Sequence, residues 1–143
     1  MVTQFNFSSS EWDARFGKEV DQAVINSLAE LGGDDEPELL LELIDLFLED
    51  SQVRVAALEQ AYGDEDWESV VLEAHTLKGA SSTMGAQIFS AACRVAEKDA
   101  RANGLERNVL DQLLDLHQRS RTSLHLLRDA TKAMIDGEHK KTA

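Results

Sequence analysis

The sequence predicts an all-α fold: an antiparallel up-down-up-down four-helix bundle with a short additional N-terminal helix. Three observations carry this. Apolar residues recur at helical spacing through most of the chain, with little β-type alternation. One proline, Pro37, stands in 143 residues. The breaks between periodic stretches are short, and short turns between long helices make neighbours antiparallel. A chain of this length can form one domain with a substantial core.

The elements follow in order. Residues 1–17 carry scattered aromatics (Phe5, Phe7, Trp12 and Phe16) and are expected to be irregular, with a single domain over 18–135. A short helix is predicted from Asp21 to Leu31, with Val24, Ile25 and Leu28 on one side and Gly32-Gly33 ending it. Asp34 or Asp35 is expected to cap the next helix, with Pro37 in its first turn, where a missing N–H costs nothing. That helix carries Leu40, Leu43, Ile44, Phe47, Val55, Leu58 and Tyr62. "YGDEDW" reads as a turn, and Asp66 as the cap of a helix from Trp67 to about Met84. Gly85 marks a break or a close approach. A further helix runs to Asn103 and buries Phe89, Cys93, Ala96 and Ala100. The last covers roughly Glu106 to Ile135, with acids early and bases late, which complements the helix dipole. Residues 136–143, "DGEHKKTA", read as a frayed tail.

Charge bounds the function. A formal net charge of −13 argues against nucleic acid or an anionic membrane as the main partner. The single cysteine, Cys93, has no partner for an intramolecular disulfide, which suits a reducing compartment. The start lacks a basic segment followed by an apolar block, so no secretory signal is evident. "LLLELIDLFLED" is too short and too charged to span a bilayer. A cytoplasmic protein is expected.

The stretch "EAHTLKGASSTMGA" holds the candidate chemistry. An α-helix advances about 100° per residue. With His75 at zero, Val70, Ala74, Leu77, Ser81 and Met84 fall between about 180° and 260°, the core sector. Val71, Lys78, Gly79 and Ser82 lie within about 60° of the histidine, and Leu72 flanks it at about 60°. His75 therefore projects away from the seam, beside an ammonium group and a patch of bare backbone. A nucleophilic imidazole needs such exposure and a ring nitrogen with a free lone pair. Lys78 is placed to hold an oxygen of an anion attached to the ring. Gly79 costs the helix about 1 kcal/mol against alanine and leaves room for another protein. Val71 and Leu72 are candidate docking residues on either flank.

"AHTLKG" followed by "SSTMGA" resembles the signature of histidine-containing phosphotransfer (HPt) domains, the helical-bundle carriers of two-component phosphorelays. "LLLELIDLFLED" and "GDEDWESVVLEAH" resemble the family's preceding helix and its acidic turn, so the resemblance spans residues 35–103. It implies that His75 carries a phosphoryl group and exchanges it with an aspartate of a response-regulator receiver domain. A hybrid histidine kinase is a further implied partner, and the receiver would supply magnesium. Lys78 becomes the charge partner, and Gly79 and Gly85 the family's glycines. Ser81 and Ser82 fall in the motif's small polar run, with the Ser81 hydroxyl expected to bond a backbone carbonyl. Ala80 and Ala96 depart from the serine and leucine usual there. Glu97 either orients the ring through Nδ1–H, leaving Nε2 as nucleophile, or stays solvated.

Other chemistry finds little support. His117, His125 and His139 lack the Glu-x-x-His pairing of di-metal bundles, no zinc spacing occurs, and no cofactor or metal is expected. No phosphate-cradling glycine loop is present, so the chain is expected to be a phosphocarrier without its own ATP site rather than an enzyme. Arg121, His125, Arg128 and Lys132 form a basic stripe read as a solvated face. The alternative function is a non-transferring bundle that binds a receiver or kinase without carrying phosphate.

Overall fold

The computed structural model describes residues 4–142, with side chains through Gly137. Six helices follow one another: α1 (Ser9–Phe16), α2 (Gln22–Gly32), α3 (Leu39–Gly63), α4 (Trp67–Thr83), α5 (Gln87–Ala102) and α6 (Arg107–Thr142). Among the described residues there is no strand. The four long helices pack as a ring, α3 on α4, α4 on α5, α5 on α6 and α6 on α3, with α2 against α3 and α1 against α6. No helix among the described residues is long and apolar enough to cross a membrane.

The expectation of an irregular segment over 1–17 is corrected for residues 9–16, while residues 1–3 lie outside the described residues. Residues 9–16 form α1 because Ser8 and Glu11 make a reciprocal capping box, and Trp12 and Phe16 are buried. Phe5 meets Trp12 and Phe16 edge-on, with ring centroids 5.7 and 5.8 Å apart. The extended stretch before α1 is held by two carboxamides of α2. Asn26 accepts from the Phe5 N–H and donates to its carbonyl, both at 2.8 Å. Gln22 does the same for Phe7, at 2.9 and 3.0 Å.

Two expected boundaries also move. Neither Asp34 nor Asp35 caps α3, which starts at Leu39 after Glu38 with no side-chain cap. Pro37 stands in a turn closed by the Leu39 N–H on the Glu36 carbonyl, and regular helix begins two residues beyond the proline. At the other end α6 continues through Thr142, where a frayed tail was expected over 136–143, since no proline stops it; Ala143 lies outside the described residues.

The remaining caps follow the sequence. Asp66 accepts from Ser69 N–H at the start of α4, and Tyr62 and Trp67 pack edge-on across the turn, 5.8 Å apart. Phe89, Cys93, Ala96 and Ala100 are buried as expected. Burial pushes the Cys93 thiol up to about 12, so it stays protonated. His117 is also in the core: its Nε2 lies 3.0 Å from Ser51 Oγ, joining α6 to α3. Burial, then the charge of Arg121, pushes this imidazole down to about 4, so it is neutral at pH 7.

The two glycines of the motif behave oppositely. Gly85 has φ +81°, and a Cβ there would lie 2.9 Å from Val24 Cβ, in the joint that brings α2 against the α4–α5 turn. Gly79 has open space on the surface of α4. Gly85→Ala is therefore expected to cost about 1–3 kcal/mol, and Gly79→Ala to stabilise by about 0.5–1 kcal/mol through helix propensity. Urea unfolding of the two variants against wild type checks both signs.

Candidate phosphotransfer site

The site is built on α4 and α5, the most extensively packed pair of helices. Val70, Ala74, Leu77 and Ser81 turn one face of α4 into the core. The opposite face therefore points outward, and the His75 side chain is 62% exposed. Buried alanines on both helices, Ala74 on α4 and Ala96 and Ala100 on α5, leave little side-chain bulk between them. Ala96, which stands where leucine is usual in the family, is fully buried. Ser90 ties the pair by donating to the Lys78 carbonyl at 2.9 Å.

Between the helices lies the Glu97 carboxylate, 7% exposed. Lys78 Nζ donates to Oε1 at 2.8 Å. His75 Nδ1 is 2.9 Å from Oε2, and Arg101 donates to the same oxygen at 3.1 Å. Led by the Lys78 hydrogen bond, Lys78 and His75 outweigh burial and hold the Glu97 carboxyl down at about 2. An ionised carboxylate only accepts, so Nδ1 must be the donor in this pair. That leaves Nε2 of a neutral ring with its lone pair free. The sequence left Glu97 between a position on the His75 ring and a solvated one; the carboxylate is buried and lies 2.9 Å from Nδ1.

Other expected residues distribute as follows. Lys78 was read as facing water, but it is only 27% exposed because Glu97 draws it inward. Gly79 lies on the surface beside His75 with nothing within 4 Å of a Cβ position, which removes tight helix packing as its reason. Leu72 is 62% exposed, whereas Val71, expected outside the core sector, is half-buried against the core at its margin. Both line a cleft with Glu68, Ser69, His75 and Arg101. Ser82 is exposed and does not join the network; its hydroxyl meets Gln87 Oε1 at 3.5 Å. Ser81 Oγ is buried without the expected carbonyl partner. Sequence reasoning missed Arg101, although its spacing from Glu97 (i, i+4 on one helix) was a readable signal.

Among the described residues no other histidine combines exposure with a carboxylate partner. His117 is buried, His125 is exposed without a carboxylate partner, and the side chain of His139 lies outside the described residues. Among the described residues no group of three or more His, Cys, Asp or Glu is arranged to hold a metal ion. The basic stripe on α6 is partly tied down, with Arg128 bonded to Asp45 of α3.

The family model described as "Hpt domain" matches residues 42–132, well over half of the chain. The chain belongs to the Hpt family and is a phosphotransfer intermediary of phosphorelays, a carrier rather than a kinase. No curated protein matches it. Among solved structures it is similar to histidine-containing phosphotransfer protein B (HptB) from Pseudomonas aeruginosa PAO1. Identity is 30% and the TM-score 0.71, over 79% of this chain and 96% of that one.

The Glu97 pairing has a pH signature. An unperturbed glutamate titrates near 4.5, and the folded carboxyl near 2. The folded state thus binds this proton less readily than the unfolded chain. The stabilisation is fully present above pH 4.5 and is lost as pH falls through about 2. Glu97→Gln is expected to cost about 1–3 kcal/mol at pH 7, with the gap to wild type closing across that acid window. Unfolding free energies measured from pH 7 to 2 check it; a constant gap would contradict it.

Proposed function

We propose that His75 Nε2 is the atom that carries the phosphoryl group, and that the donor or acceptor is the aspartate of a receiver domain. The observation that supports this most is an exposed imidazole whose Nδ1 is fixed 2.9 Å from a buried, ionised Glu97. In the forward step the Nε2 lone pair attacks phosphorus in line, the N–P bond forms, and the P–O bond of the aspartyl phosphate breaks. The aspartate leaves as a carboxylate. The ring then holds both Nδ1–H and the phosphoryl group and is cationic, so the Glu97 hydrogen bond strengthens as charge develops. The reverse step uses the same contacts.

Lys78 and Arg101 supply more positive charge than the one carboxylate between them neutralises, and the excess faces the phosphoryl oxygens. Gly79 leaves the approach to the ring open, and Leu72 offers an apolar contact beside it. The carrier is read as cytoplasmic, with no ATP site or metal of its own and magnesium supplied by the receiver. A single domain in up-down-up-down order belongs to this reading, wider than the expected 18–135 because Phe5, Trp12 and Phe16 join its core; the ring of neighbouring long helices and the short turns support it.

The test is transfer from a phosphorylated receiver. His75→Gln is expected to fold and to take up no acid-labile phosphate. Lys78→Ala is expected to slow transfer about 10²-fold, the usual order for removing one charge-stabilising donor. Gly79→Gln is expected to block transfer from the receiver while phosphoramidate, which needs no protein contact, still labels His75. Label appearing on His125 in His75→Gln would overturn the assignment.

A further inference from the structure

The cations of α5 exceed what the phosphoryl site uses. Arg94, Lys98 and Arg101 stand at i, i+4 and i+7, so they form one ridge on the exposed side of the helix. Arg101 is tied to Glu97. Arg94 and Lys98 are exposed and have no ion-pair partner among the described residues. The three line a single open cleft with Lys78 and Glu97. Four cations thus share a cleft with one carboxylate, which bonds only Lys78 and Arg101 among them, in a chain of formal net charge −13. On the side of the ridge away from Glu97, Val95 is 47% and Ile88 43% exposed.

We propose that the Arg94–Lys98–Arg101 ridge is a docking surface for an acidic protein face, the carboxylate-rich surround of the receiver's phosphorylated aspartate. This rests on the reading of the chain as a receiver's exchange partner. The argument is one of range. At physiological salt the Debye length is about 8 Å, and a ridge spanning seven residues of helix is about 10 Å long. A partner at contact therefore feels the local ridge more than the acidic remainder of the chain. The overall charge repels a polyanion that extends far beyond the patch, which disfavours nucleic acid. A compact acidic face escapes that penalty. Paired with the ridge, it is held against α5 with its centre near His75. The exposed Val95 and Ile88 add apolar contact at the border, and a polar rim around such contact is usual for transient interfaces.

The experiment uses the full chain with Arg94→Glu/Lys98→Glu, two residues outside the phosphoryl site. Transfer from a phosphorylated receiver is timed at low and high ionic strength, with phosphoramidate labelling in parallel. The double variant is expected to accept from the receiver at least about ten-fold more slowly at low salt and to lose most of the salt dependence. Its phosphoramidate rate should equal wild type, and Arg94→Gln/Lys98→Gln should fall between. Receiver transfer with wild-type rate and salt slope would overturn the ridge and leave the function of His75 standing. Equal slowing toward phosphoramidate would overturn it too, by showing an effect on the imidazole. Wild type that is labelled by phosphoramidate but by no receiver would overturn the exchange reading and the ridge together. A DNA duplex bound through Arg94 and Lys98 would replace the acidic protein face with a nucleic acid.

Discussion

A carboxylate taken out of water stays ionised only when its oxygens are occupied by donors, and Glu97 meets that demand with groups from two helices. Lys78 and His75 reach it from α4, three residues apart, and Arg101 reaches it from one turn further along α5. Burial alone would raise its pKa; Lys78, then His75, bring it down to about 2 instead. The same bonds fix the rotation of α5 against α4. A turn of one residue, about 100°, would carry the carboxylate out of the seam and leave Lys78 and the His75 Nδ1 without their acceptor. Ring orientation, tautomer and the charge around Nε2 therefore follow from one buried side chain.

That constraint explains where small residues are used. Ala74, Ala96 and Ala100 are buried in α4 and α5, and Ser90 anchors the Lys78 carbonyl. A larger side chain at Ala96 would add volume to a close-packed seam, where about 1–3 kcal/mol of strain is typical. Gly79, by contrast, is small toward solvent. Its missing side chain lowers helix stability and fills no packing need, so its value lies in what can approach from outside.

The helices and their buried faces were legible because periodicity is a local property. Val70, Ala74, Leu77 and Ser81 fell on one face from spacing alone, and so did the exposure of His75. The ends were less legible. The Ser8–Glu11 capping box could be read in "SSSE", but the scattered aromatics around it gave no clean helical stripe; they pack partly as an extended segment held by Asn26 and Gln22 of α2. The α3 start was misplaced because two acids and a proline imitate a capped first turn, whereas the turn before Leu39 is built from backbone bonds. Lys78 and Val71 were misjudged for one reason. A helical wheel places a side chain by angle and says nothing of the neighbour that draws it inward. The Glu97–Arg101 spacing is readable within one helix, but its link to His75 and Lys78 needed the α4–α5 pairing, a tertiary fact.

The selection of His75 among the histidines comes from a conflict of requirements. A phosphoryl acceptor must reach solvent, yet an imidazole free in solvent has no fixed tautomer or orientation. His117 has the fixed environment, in contact with Ser51 and 5.3 Å from the Phe89 ring centroid, but it lies in the core where no protein can approach. His125 has the exposure without a carboxylate to hold it. His75 joins the two because one edge of its ring is exposed while the other leans on a buried anion. The cost of burying that anion is offset by Lys78 and Arg101, the cations that then remain beside the transferred group. In the proposed role of His75, support for the ring and stabilisation of the phosphoryl oxygens share the same charges, so a change in one disturbs the other.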